Sequence, residues 1–357
     1  MLDHGHARDS GVISMRTILA PLTLGLLGLS AVMQAADAPA FAVTAAYKVG
    51  GEGRWDYLIC DPSGKRLYVP RTSHTMVLDA VTGALIADIP GTDGVHGVAL
   101  AVDAGRGFTS NGKAATSTVF DLTTNATLGT IATAEDPDCI IYDPASKHVL
   151  ACCGDAGVII PFLASVALPG KAEAPVALGG KPEFAAADGQ GKVYVNLVDK
   201  SEVAVLDTKS MTVIAHWPLA PGANPTGMSI DTKSHRLYIG CRNQVLIVMN
   251  AEDGSVLAHL PIGPGVDATA VHGGLGFASC GDATLAVVSE TAPGTFTIVQ
   301  TVTTAPGART MAINGHSGTI YMPSADFPPA PPSAPGQPKA RQAPLPGSFK
   351  ILVVSQP

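Results

Sequence analysis

Arg66-Leu67-Tyr68-Val69, Lys192-Val193-Tyr194-Val195 and Arg236-Leu237-Tyr238-Ile239 are three copies of one short strand-forming tetrapeptide. Weaker copies stand at 106–109 (RGFT), 147–150 (KHVL), 275–278 (LGFA) and 319–322 (TIYM). Their third residues are Tyr68, Phe108, Val149, Tyr194, Tyr238, Phe277 and Tyr321, spaced by 40, 41, 45, 44, 39 and 44 positions. Such a period matches a four-stranded propeller blade and is too short for seven independent domains.

Each repeat reads alike. An apolar strand ends in a polar turn (ICDPSGK, YDPASK, AADGQGK, SIDTKSH), the tetrapeptide strand follows, then a Val/Leu/Ile strand, a second turn and a fourth strand. The first repeat shows all four, over 57–60, 66–70, 75–79 and 85–89. Glycine supplies the positive φ such turns need, and Asp folds its side chain back onto the backbone. So many turns account for 39 glycines in 357 residues. First strands are rich in small residues (GVALA, FAAA, ATAV), as expected where strands crowd around an axis. The expectation is an all-β, seven-bladed β-propeller of four-stranded antiparallel blades over 41–357. The seventh repeat offers strands at 311–314, 319–323 and 349–355 and lacks a fourth. Residues 41–49 (FAVTAAYKV) supply one, so the N-terminal strand is expected to complete blade 7 and remove a free sheet edge.

The net charge is −7, charged residues are 14% and aromatics 5%. Nucleic-acid binding is disfavoured, because it needs a basic surface or stacking rings. Met15-Arg16, the apolar run 18–33 and the small residues around Ala35 and Ala36 read as an export signal over 1–35, with translation starting at Met15. The apolar run is shorter than the roughly 20 residues that span a bilayer. The expectation is therefore a periplasmic or secreted monomer with no stable membrane insertion.

The tetrapeptides, above all Tyr68-Val69-Pro70-Arg71 and Tyr194-Val195-Asn196-Leu197, together with the turn Asp79 to Gly83, resemble the YVTN-repeat, YncE-like propellers of exported bacterial proteins. The resemblance covers 41–357 and implies the fold. It says little about chemistry, because such propellers include lactonases, lyases, surface-layer and binding proteins.

Equivalent positions in a repeat are equivalent places. Counting back five residues from the turn residue that ends each first strand reaches Asp56, His96, Asp138, Glu183, Thr226, Asp267 and Arg309. Six of these seven are ionisable, where a chain that is 14% charged would place about one at random. They are expected to ring the mouth of the central channel as a ligand site. Clustered carboxylates do not all ionise cheaply without a cation, a proton or a basic partner. Asp138, Glu183 and Asp267 would suit Ca²⁺, and adding His96 would suit Zn²⁺. Loops between second and third strands should open on the same face, bringing Arg71, His74, Asn111, Asn196 and Arg242 around the ring.

Of six cysteines, Cys152, Cys241 and Cys280 hold equivalent positions, Cys139 is expected near Cys152 or Cys153 across a turn, and Cys60 ends the first strand of the first repeat. A proline-rich insertion, 327–347, favours an extended polyproline arm near Arg309. Three functions remain open. The first is a binding protein that recognises a small molecule, a metal ion or an envelope protein. The others are a metal-dependent, lactonase-like hydrolase or lyase on the same ring, and a structural envelope protein.

Overall fold

A computed structural model describes residues 40–329 and 342–357. The expected signal at 1–35, and residues 330–341 of the proline-rich insertion, lie outside the described residues. Among the described residues, strands account for nearly all regular structure, and the one helical element is the single 3-10 turn Val102–Ala104. No helix there is long and apolar enough to cross a membrane.

The strands form six antiparallel sheets, five of four strands and one of seven. In the seven-stranded sheet, the strand Leu85–Ala101 serves two neighbours: Leu85 to Pro90 pair with Thr72–Asp79, and Val95 to Ala101 pair with Arg106–Asn111. Two neighbouring units are thereby fused, which departs from the expected seven separate sheets. The cause is local, since Thr72 pairs with Val95 and carries the ladder past the glycine pair Gly91 and Gly94. The strand Ala42–Lys48 lies against Lys350–Ser355 at the edge of the last sheet, so the two ends of the described chain share one sheet.

The innermost strands neighbour one another in a closed circuit. It runs from Ile59–Cys60 to Leu85–Ala101, Pro137–Asp143, Pro182–Ala187, Pro225–Asp231, Val266–His272, Ala312–Ile313 and back. This is the architecture of a β-propeller, with a channel along its axis.

The tetrapeptide joins neighbours. Arg66 donates to the Leu122 carbonyl, Arg106 to the Val166 carbonyl (both 2.6 Å), and the Tyr194 hydroxyl to the Ala251 carbonyl at 2.7 Å. Its central residues, Tyr68, Phe108, Tyr194 and Phe277, are buried between sheets. Turn aspartates act as read: Asp79, Asp121 and Asp207 each accept two backbone N–H bonds, which hold their carboxyls below the usual range. All six cysteines are free and buried, and Cys139 lies opposite Cys152 in the ladder.

Candidate functional site: the mouth of the channel

Five of the seven ring residues share one backbone device. The pairing register skips at His96, Asp138 and Asp267, and across Glu183-Phe184 and Thr226-Gly227, so each sits in a β-bulge of an innermost strand. A bulge re-aims a side chain that strict alternation would send elsewhere. Asp56 and Arg309 precede their short inner strands and are fixed by backbone bonds. The Tyr57 amide donates to the His96 carbonyl at 3.0 Å, the Thr310 hydroxyl to the Asp56 carbonyl at 3.1 Å, and the Ser279 hydroxyl to the Arg309 carbonyl.

These residues meet in two groups. His96 Nδ1 lies 2.8 Å from Asp56 Oδ2 and 3.1 Å from Asp138 Oδ1. One ligand atom from each of the three falls within 4.8 Å of the others. Across the mouth, Arg309 Nε pairs with Asp267, and its Nη2 lies 3.5 Å from Asp56 Oδ1, linking the groups. Glu183 is held at 2.8 Å by Arg242 from the neighbouring sheet.

Electrostatics follow from burial among like charges. Burial pushes the Asp138 carboxyl up to about 7; the His96 charge opposes the rise, while Asp56 and Glu183 add to it. Asp267 is pushed up to about 6 by burial, against the pull of Arg309. Glu183 is likewise raised by burial, and Arg242 restrains it. Burial disfavours the His96 imidazolium, but the Asp56 hydrogen bond and the Asp138 and Asp56 charges outweigh it and raise the imidazole to about 9.

The structure departs from several sequence expectations. Thr226 is buried and turned into the wall, donating to the Val266 carbonyl at 2.9 Å, because its bulge packs backbone against the next strand. A Cβ at the adjoining Gly227 would lie 2.5 Å from Ala268 Cα, which fixes that close approach. The expected metal set Asp138, Glu183, Asp267 and His96 is not what geometry gathers. Glu183 and Asp267 are taken by arginines, and Asp56 stands in their place beside His96.

Around the ring, Arg242 alone of the five expected supporting residues bonds a ring side chain. Arg71 is wholly buried, stacked 3.7 Å above the Phe349 ring and bonded to the Gly50 and Gly53 carbonyls, with burial lowering its pKa to about 10. His74 faces Asp88 at 3.9 Å. Asn111 is buried among Thr109, Thr116 and Thr118, where it completes a hydrogen-bond network. Asn196 donates to the Thr226 and Gly227 carbonyls and thus braces a bulge.

Sequence reasoning missed four contributors. Asp136 and Lys181 add charge at the rim, 3.9 Å apart, with Lys181 held more closely by Asp155 at 2.7 Å. Tyr57 and Phe184 follow Asp56 and Glu183, with ring centroids 4.6 Å apart, and form a floor beneath the mouth. The Tyr57 hydroxyl is raised well above its usual pKa by burial and by Asp267, Asp56, Glu183 and Asp138. Prolines before ring residues (Pro137, Pro182, Pro225) carried a readable signal, since proline within a sheet marks a strand start or a bulge.

Fold and site together define a β-propeller with a charged channel mouth. No family model matches the chain, and no curated protein matches it in sequence. Among solved structures it is similar to a chain of hydrazine synthase from Kuenenia stuttgartiensis, with a TM-score of 0.64 over 77% of this chain and 92% of that one. Identity is 11%, so the likeness speaks for the fold alone.

Proposed function

We propose that this chain is an exported, seven-bladed β-propeller of the YVTN-repeat kind whose channel mouth binds a divalent cation, and through it a small ligand. Counting Leu85–Ala101 as the last strand of one blade and the first of the next supports seven blades. The observation that carries the binding reading is the Asp56–His96–Asp138 cluster. A tetrahedral Zn²⁺ with bonds of about 2.0–2.1 Å sets its ligand atoms about 3.3 Å apart. Two of the three separations here, 2.8 and 3.1 Å, lie close to that. The shared proton of the imidazole occupies the place a cation would take, so cation and proton compete. Asp138, raised to about 7 by burial, and His96 both release protons on binding.

A second reading is favoured by one feature. Three protein ligands would leave a fourth position open for water or substrate, as in hydrolytic zinc sites, and Arg309, whose Nη2 lies 3.5 Å from Asp56 Oδ1, would be available to hold a carboxylate or oxyanion. The lactonase-like hydrolase therefore remains the alternative.

The test is titration of Zn²⁺ and Ca²⁺ into chelator-treated protein at pH 6 and 8, with Asp138→Asn and Asp56→Asn beside it. The reading expects one site, tighter at pH 8 and lost in both variants. No binding, or binding that both variants retain, would overturn it. Lactone hydrolysis that follows the bound metal would select the enzyme.

A further inference from the structure

Below the floor, the channel opens into a cavity of about 680 Å³ whose walls come from all six sheets and include none of the seven ring residues. Its walls are mostly apolar. Ile59, Val98, Leu100, Ile141, Met311 and Ile313 face it, together with the small residues Ala99, Ala187 and Ala270. Among the described residues that line it there is no Lys, Arg or His, and the one carboxylate is Asp188 at the far mouth. That carboxylate is already committed to the Gln190 and Lys192 amides at 2.7 and 2.9 Å. The wall hydroxyls of Ser229 and Thr269 bond each other at 3.0 Å, and Thr269 also donates to the Tyr238 carbonyl.

Each observation narrows the occupant. The volume falls in the range of about 300–1,000 Å³ that drug-sized ligands use. A charged ligand would be buried with no opposite charge in the wall, at a cost of several kcal/mol. Water inside gains few hydrogen bonds, so an apolar molecule that displaces it binds favourably. The Tyr57 and Phe184 rings, tilted 53° to one another, close the inner end and offer faces against which an aromatic ring packs.

We propose that this segment of the channel is a second site, distinct from the charged mouth, that binds an uncharged apolar small molecule carrying an aromatic or alicyclic ring, admitted by the Asp188 end.

The experiment uses the neutral fluorophore N-phenyl-1-naphthylamine on the full protein. Saturable 1:1 binding with enhanced emission is expected, displaced by decanol and not by decanoate. Ala187→Phe and Ser229→Phe each fill the cavity from a different strand, and either, with an unchanged melting curve, should weaken the probe by about tenfold or more. Asp138→Asn should leave probe affinity unchanged, which separates this site from the cation reading at the mouth. The proposal is overturned by absence of saturable binding, by equal displacement with decanoate, by folded filling variants that bind normally, or by loss of the probe in Asp138→Asn.

Discussion

Replacing Arg309 by methionine removes the guanidinium that pairs with Asp267 while keeping most of the side-chain volume. Both partners are largely buried, with side chains 23% and 15% exposed, so solvent screens them little. Breaking a buried pair costs about 3–5 kcal/mol when the remaining charge has no escape. Asp267 has one, because it can take up a proton. With its pKa at about 6 in the intact site, the ionised form at pH 7.5 is favoured over the protonated form by about 2 kcal/mol, at about 1.4 kcal/mol per pH unit. Loss of Arg309 forfeits that amount and no more, since the carboxyl then sits protonated. Because its folded pKa lies above the unfolded value near 3.9, wild-type stability falls between about pH 4 and 6 and then levels off. In the variant the fall continues, so the difference is near zero at pH 5.5, about 2 kcal/mol at pH 7.5 and about 3 kcal/mol at pH 8.5. Urea unfolding of both proteins at these pH values measures it. A difference that does not change with pH would mean that Arg309 acts through packing and not through charge.

Three further outcomes are expected. The His96 imidazole, followed by its Hε1 resonance, should titrate near 9 in the wild type and fall in Asp56→Asn, its stabilising effect being complete below about pH 6.5 and lost as pH rises through 9. Gly227→Ala should lower stability by about 1–3 kcal/mol in urea, because the new methyl meets Ala268 Cα at 2.5 Å and the Asp267 carbonyl at 2.7 Å, backbone atoms that cannot swing aside. Iodoacetamide at pH 8 should leave the native protein unlabelled and modify six thiols after unfolding. Burial encloses every cysteine and raises Cys60 and Cys241 to about 12, so rapid native labelling would contradict the packing described.

The propeller was legible because its signals are local. A tetrapeptide every forty or so residues and an Asp or Gly at each turn decide strand and hairpin without reference to distant contacts. The fusion of two units through Leu85–Ala101 was not legible. Gly91 and Gly94 both take positive φ, and the ladder runs on past them through the cross-strand pairing of Thr72 with Val95, a contact that no local signal announces. Counting within the repeat located the ring positions, but a count gives a place and not a direction. Thr226 shares the bulge of its counterparts, yet its hydroxyl finds two carbonyls in the wall and stays there. Asp56 stands in the ring but outside the expected metal set, because residue type carries no proximity, and arginines from neighbouring repeats hold Glu183 and Asp267.

The proposed cation site at the charged mouth is formed by Asp56, His96 and Asp138. Its most direct test is a crystal soaked in Zn²⁺ at pH 8, with anomalous scattering recorded at the zinc edge. One strong peak is expected beside His96, about 2.0–2.1 Å from Nδ1 and within bonding distance of both carboxylates. No peak at the mouth, or a peak held by Glu183 and Asp267 with His96 still bonded to Asp56, would contradict it.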